Sequence, residues 1–541
     1  METDLLVIGG GIVGAGVARD AAMRGLRVVL VEQQDLAFGT SSRSSKLVHG
    51  GLRYLEQGEF SLVFESVSER RVLMEIAPHL VTPLGFLFPV YQGAKLGPFA
   101  LNLGMWLYDG LSLFRSPKIH KKLSARDVAE EEPSLCRDGL RGAPLYYDCA
   151  TDDARLTLET ALDAQAHGAT LLTWTKVVDF LRHPSGRITG VRAKRAFDGE
   201  MVDLEARVVI NATGPWTDAV RDPGNAKAPL LRPTKGVHVV VPRERLPLRH
   251  AVVCSHPDDK RVLFALPWGD RSYIGTTDTD YTGDPADVAC DAADVTYLLA
   301  CMARYFPGAR LTADDILATW AGLRPLISSE GSASNVSREH EIVVDADGLI
   351  TIAGGKLTTY RKMSAEVVDR AVAMLRLTGA IAAPLREAYT ARQPLPGAVG
   401  WPEDDDPARV EALVKSVAPE LDEDSVELFV HTYGTRAVDV ARLIKANPSL
   451  DAPISPGRPE RLAQVDFAVD RELAQTVRDV LVRRTQLYFR AADQGLSAAP
   501  VVAARMQAKL GWTDARRDEE IAAFAAELER SRRWRTEGVS A

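Results

Sequence analysis

Glycines 9, 11 and 14 stand directly after the aliphatic run Leu5-Leu6-Val7-Ile8 and directly before an alanine-rich stretch, an order that suits phosphate binding. Gly9 and Gly11 permit a tight turn and the close approach of a pyrophosphate, and Gly14 lets a helix pack on the strand. Phosphate oxygens then meet the positive end of that helix. Glu32 ends a second aliphatic run, Val28-Val29-Leu30-Val31, where its carboxylate can accept from adenosine ribose hydroxyls. The same negative charge repels a 2′-phosphate, which argues against NADP. Asn211-Ala212-Thr213-Gly214-Pro215-Trp216 follows another short strand and returns the chain to the nucleotide. Gly354-Gly355-Lys356-Leu357-Thr358-Thr359 follows the last such strand and opens a helix. A helix N-terminus there would stabilise the negative charge that collects on the pyrimidine side of a reduced flavin, so the two segments favour FAD over NAD.

The elements needed to position these groups are legible as pattern. Uninterrupted aliphatic runs separated by a helix indicate parallel strands covered on both faces. Val208-Val209-Ile210 and Leu349-Ile350-Thr351-Ile352 repeat the short buried strand, whereas Val237 to Val241 and Val262 to Leu266 read as strands of another sheet. The expected fold is α/β: a Rossmann-like FAD-binding domain, an inserted substrate domain with a largely antiparallel sheet, and a helical C-terminal domain. The expected boundaries are 1–75, 150–230 and 340–385 for the discontinuous FAD-binding domain, and 76–149 and 231–339 for the substrate domain. A Pro-, Gly- and Asp-rich linker at 386–410 precedes the helical domain at 411–541.

Composition excludes several classes. With 65 Lys and Arg against 73 Asp and Glu, the net charge of −8 gives no global attraction for nucleic acid, so a phosphate ligand needs a local cluster of cations. Five cysteines without a Cys-x-x-Cys suggest buried thiols in a reducing compartment and no metal or cluster site. Met1-Glu2-Thr3-Asp4 does not read as a targeting segment. Prolines and glycines interrupt the apolar stretch from Ile76 to Phe114, which argues against a spanning helix.

Thr40-Ser41-Ser42-Arg43-Ser44-Ser45-Lys46-Leu47-Val48-His49-Gly50-Gly51-Leu52-Arg53-Tyr54-Leu55 closely resembles a segment of the FAD-dependent, quinone-linked aerobic glycerol-3-phosphate dehydrogenases. The resemblance continues through Tyr147–Arg155, Asn211–Trp216, Lys235–His238, Ile274–Asp278, Gly322–Leu326 and Gly354–Arg361. It resumes at His431–Arg436 and Arg483–Thr485. It implies oxidation of glycerol 3-phosphate to dihydroxyacetone phosphate, with hydride passing from C2 to flavin and electrons to membrane quinone. The cysteine-rich features of the anaerobic relatives and the EF-hand loops of the mitochondrial ones have no counterpart. A glycerophosphate oxidase, which would release hydrogen peroxide, is the alternative.

On this resemblance Arg53, Tyr54, Arg338 and Lys356 fall in the substrate site, and Arg324 lies closer to the reacting carbon and its oxygen. Arginine binds phosphate through a bidentate fork and lysine through a point charge. His49 and His238 are candidate bases, since an imidazole can titrate near the working pH; for each, the competing role is to orient flavin or pack beside it. Thr40, Ser41, Ser44, Ser45 and Lys46 are expected at the flavin and its phosphates, together with Gly9, Gly11, Gly14, Glu32, Thr213, Gly214, Gly354, Gly355 and Leu357. Thr358 can hydrogen-bond cofactor or substrate.

Quinone as acceptor implies peripheral contact with the inner face of the cell membrane from the cytoplasm. Phe99, Leu101, Leu103, Met105, Trp106 and Leu107, followed by Lys118, Lys121 and Lys122, are the candidate patch, with a buried core or a homodimer contact as competing uses. Arg530 to Arg535 with Trp534 read as a solvated tail, with binding of acidic lipid as the competing use.

Overall fold

A computed structural model of the chain describes residues 3–51, 58–94, 98–111, 118–222, 224, 228–328, 340–381 and 384–538. Its first sheet has eight strands. At its centre β1 (Thr3–Ile8) pairs in parallel with β2 (Val28–Val31) on one side and with Met201–Asn211 on the other. Thr170–Leu172 and Ile350–Gly354 extend this parallel set, and His340–Val344 adds an antiparallel edge. Helix α1 (Ile12–Met23) crosses between β1 and β2 and is buried along nearly its whole length. Two of its glycines make that possible. A Cβ on Gly14 would lie 1.9 Å from the Gly9 carbonyl oxygen, and one on Gly16 would lie 2.3 Å from Ser364 Oγ on the helix Tyr360–Leu377. Leu5, Val7, Leu30, Ile210 and Ile352 form the core beneath them.

The second sheet has eleven strands and is largely antiparallel. Leu231–Pro242 pairs along its length with Ala318–Ile327, then with Arg271–Gly275, and the order continues through Val262–Trp268, Ala251–Ser255, Val81–Leu87 and Leu140–Thr151 to Leu47–Val48. The last short strand matters for function, because it carries the loop 40–49 out of the first sheet and clips it onto the second.

Beyond Pro396 the described residues are helical, with Asp479–Arg484 wound as a π-helix. The Pro-rich connection before them is fastened: Arg19 donates to the Thr390 carbonyl at 3.1 Å and to that of Gln393 at 2.7 Å. The helical region grips the first sheet through buried ions. Asp35 accepts from Arg483 at 2.5 Å and from Arg484 at 2.7 and 2.8 Å, and Glu472 takes both ends of the Arg155 fork at 2.8 and 2.9 Å. Burial would push the Asp35 carboxyl up, but the two guanidinium groups outweigh it and hold it below its ordinary range. Toward the second sheet the grip is apolar. Trp534 is 2% exposed and packs among side chains of the second sheet, so the basic C-terminal segment is a docked strap and not the solvated tail its composition suggests.

Candidate active site

The topology places one cleft of about 730 Å³ along the carboxyl ends of the parallel strands. Its first end is made mostly of backbone. Gly9 has φ 110°, and a Cβ there would lie 2.6 Å from the Ala212 carbonyl oxygen, so glycine alone brings these two strand ends together. Ile12 N, at the start of α1, donates to Ser41 Oγ at 2.9 Å. Glu32 accepts from Gly10 N at 2.7 Å and from Gln34 N at 2.9 Å, so the carboxylate both faces the cleft and holds the glycine turn. Burial raises its pKa, opposed by these two amides.

Gly11, Thr40, Ser41, Ser44, Thr213 and Gly214 line the middle, and Gly354, Gly355, Lys356 and Leu357 line the far end with Gly9 and Glu32 at the near one. An elongated cleft bounded by a glycine turn, a helix N-terminus and a carboxylate fits an adenine dinucleotide; Ser41 and the α1 amides would hold its pyrophosphate and Glu32 its ribose. Gly14, Ser45, Lys46 and Thr358 stand behind this surface. Arg53, Tyr54 and Arg338 lie outside the described residues.

Next to the cleft-lining Pro325, side chains come together from distant strands. Thr234, Gly236 and His238 on one strand face Arg324, Gly322 and Trp320 on its antiparallel neighbour. The two glycines stand opposite each other and leave a gap in the row. A Cβ on Gly236 would lie 2.5 Å from Arg324 Nη2, and one on Gly322 would lie 2.6 Å from the Arg43 carbonyl oxygen. Arg324 folds into this gap and is fixed there by Asp278 at 3.1 Å, Thr276 Oγ1 at 2.9 Å and the Thr277 carbonyl at 3.0 Å.

His238 is 2% exposed and stacked on Trp320, with ring centroids 4.7 Å apart. Its Nε2 lies 2.9 Å from Ser45 Oγ, and its Nδ1 is enclosed. Burial, reinforced by Arg324 and Lys46, pushes its pKa well below 6.5, so the ring is neutral. His49 is half-buried. Its backbone is tied to Thr358: His49 N donates to Thr358 Oγ1 at 3.2 Å, and that hydroxyl lies 3.3 Å from the His49 carbonyl. This brings the loop carrying His49 against the segment of Lys356 and Leu357.

One organiser went unrecognised in the sequence. Asp153, fully buried at the start of the helix Asp153–Ala166, accepts from Ser44 N at 3.0 Å, Ser44 Oγ at 2.7 Å and Lys46 Nζ at 2.6 Å. The Lys46 ammonium, expected at the flavin, is therefore committed to Asp153 inside a box of Trp268, Trp320 and Phe489 rings 5.5 to 5.9 Å away. The run Asp152-Asp153-Ala154-Arg155 was the available signal, but nothing in its spacing names Ser44 or Lys46 as partners.

Residues 4–361 match the family described as FAD dependent oxidoreductase, and residues 388–517 match the C-terminal domain of alpha-glycerophosphate oxidase. A glycerol-3-phosphate dehydrogenase of Mycobacterium leprae is 40% identical over 98% of this chain and 88% of its own. The aerobic glycerol-3-phosphate dehydrogenase of Staphylococcus haemolyticus is 39% identical over 90% of this chain and 87% of its own. Among solved structures, the glycerol-3-phosphate dehydrogenase from Bacillus halodurans complexed with FAD superposes with a TM-score of 0.80 at 34% identity, covering 98% of this chain and 95% of that one.

Proposed function

The chain belongs to the FAD-dependent glycerol-3-phosphate dehydrogenase family, and from that premise we propose that it oxidises sn-glycerol 3-phosphate to dihydroxyacetone phosphate and delivers the electrons to a membrane quinone. FAD, when bound, supplies the acceptor for the hydride that leaves C2. The chain's own residues divide the remaining work. His49 takes the proton of the C2 hydroxyl, since it is the half-buried imidazole at the Lys356 end, whereas both ring nitrogens of His238 are shut in. His238 instead holds Ser45, and with it the loop behind the cleft. Arg324, braced by Asp278 and Thr276, stabilises charge developing on the C2 oxygen. Lys356, with Arg53, Tyr54 and Arg338, holds the phosphate.

The reading is supported by Lys356 lining a cleft whose other end suits a dinucleotide, by Thr358 tying the His49 backbone close behind it, and by the braced Arg324 standing next in sequence to the cleft-lining Pro325. Anaerobic addition of glycerol 3-phosphate should bleach the bound flavin at once. An oxidised spectrum that persists under substrate would overturn the reading. The match of residues 388–517 to an oxidase domain favours a second reading, release of hydrogen peroxide. Reoxidation of the bleached enzyme by a quinone analogue, compared with air, separates the two.

The membrane face we assign to the ends of two neighbouring helices. Trp106 and Leu107 on Pro98–Leu111 are 50% and 45% exposed, Ile119 is exposed as well, as are Phe60 and Phe64 on the helix Phe60–Ile76, and Lys118, Lys121 and Lys122 supply a basic rim. Leu101 and Met105 belong to the core instead, and the side chains of Phe99 and Leu103 lie outside the described residues. Among the described residues no helix is long and apolar enough to cross a membrane. Unimpaired liposome sedimentation by a folded Trp106→Asp variant would reject this face.

A further inference from the structure

A second cavity, of about 50 Å³, lies where the loop 38–43, the second sheet and the helical region meet, and it shares only Phe38 with the cofactor cleft. Four arginines line it: Arg43, Arg478, Arg483 and Arg530. Glu527 is the one carboxylate among its lining residues. Three of these guanidinium groups crowd one ring, Arg43 and Arg478 each 5.3 Å and Arg483 5.9 Å from the centre of Phe38.

The four are not equally compensated. Arg483 is held by Asp35 at 2.5 Å and Asp479 at 2.6 Å. Arg478 binds Gln34 at 2.6 Å and lies 3.5 Å from Glu527, which it shares with Arg530; Arg530 also reaches Asp287 at 3.3 Å. The Arg43 guanidinium has a cation–π contact and no hydrogen-bond acceptor or ion-pair partner among the described residues. This half-buried guanidinium keeps its planar donors open to the cavity, and such donors are suited to a tetrahedral oxyanion. Burial, with Arg483 and Arg530 reinforcing it against Glu527 and Tyr488, lowers the pKa of Arg43, the electrostatic sign of a site short of negative charge.

We propose that this three-way junction is an anion site, separate from the substrate's, that takes one tetrahedral oxyanion of the inorganic phosphate class on Arg43. The volume sets the class: about 50 Å³ has room for roughly three or four waters or one such ion, and none for a glycerol ester beside it. Its consequence is mechanical. Arg43 lies between Thr40, Ser41 and Ser44, which line the cofactor cleft, and it shares the second cavity with Glu527 and Arg530 of the helix Asp514–Arg532. An anion there would tie the cofactor loop to the helical region.

The test uses holoenzyme at constant ionic strength, with phosphate replacing chloride. Phosphate should raise the melting temperature saturably, by about 1–2 °C at ten times its Kd. Phosphate bound at the substrate site adds to the wild-type response, so the readout is the difference between proteins: Arg43→Leu should lose part of the shift and Arg43→Lys should keep it. An identical phosphate response in wild type and Arg43→Leu overturns the proposal. Should Arg43→Leu fail to fold, wild-type crystals soaked in selenate decide. An anomalous peak between Arg43 and Arg530 supports the site, and its absence at a concentration that fills the substrate pocket rejects it.

Discussion

The two ends of the cofactor cleft are built on opposite principles. The end proposed for adenosine uses mostly backbone, glycine and one carboxylate, with the glycine turn and Glu32 both within 32 residues of the N-terminus. The proposed reacting end uses side chains brought from loop 40–49, two antiparallel strands and the turn after Ile350–Gly354, with Arg324 braced by Asp278 and the His49 backbone by Thr358. Backbone recognition tolerates no added atom but is local. Side-chain recognition tolerates substitution of shape yet depends on register across hundreds of residues. The two ends should therefore fail separately, one losing cofactor and the other losing rate.

The sharpest separation is expected at His49. His49→Asn should slow anaerobic flavin reduction by about 10²- to 10⁴-fold with FAD fully retained; stopped-flow traces that match wild type would return the base to His238. Arg324→Leu comes next, with a loss of roughly 10²–10³ in the same step, because Asp278 loses its partner and the C2 oxygen its cation. Gly9→Ala should do the reverse. A Cβ at φ 110° meeting the Ala212 carbonyl should weaken FAD binding roughly 10- to 100-fold, while the enzyme that still holds FAD is reduced at the normal rate. If that variant instead keeps FAD and loses rate, the two ends are not independent.

The smallest effect concerns pH. The folded pKa of His238 lies well below 6.5, so as pH falls below 6.5 the unfolded chain takes up a proton that the folded chain refuses. Stability is lost on that acid side, by at most about 1.4 kcal/mol per pH unit from this group, and it is not lost above pH 6.5. His238→Gln should flatten the urea midpoint between pH 5 and 6.5 relative to wild type.

The asymmetry of the cleft also explains what could be read in advance. The glycine turn, Glu32 and the strand-helix-strand unit are legible because their partners are near in sequence and their spacing is set by backbone geometry. The segments carrying Arg324 and Lys356 were recognisable, but their bracing was not. Asp153 holding Ser44 and Lys46 spans more than 100 residues, and the facing pair Gly236 and Gly322 exists only once two strands have found their register. Arg483-Arg484-Thr485 likewise stood out as a motif, yet its use as a clamp on Asp35 depends on a docking surface that no local pattern encodes. Trp534 misled for the same reason: a basic, aromatic-bearing end is solvated or buried according to what lies opposite it.

That docked strap has a consequence for biosynthesis. Trp534 fills part of the core of a sheet whose strands run from Leu47 to Ile327, and Thr319 donates to the Ser531 carbonyl at 3.2 Å. The sheet cannot complete its own interior until residues beyond 530 have left the ribosome. A nascent chain halted short of that point would carry every strand and still expose the apolar seat of its last turn to chaperones.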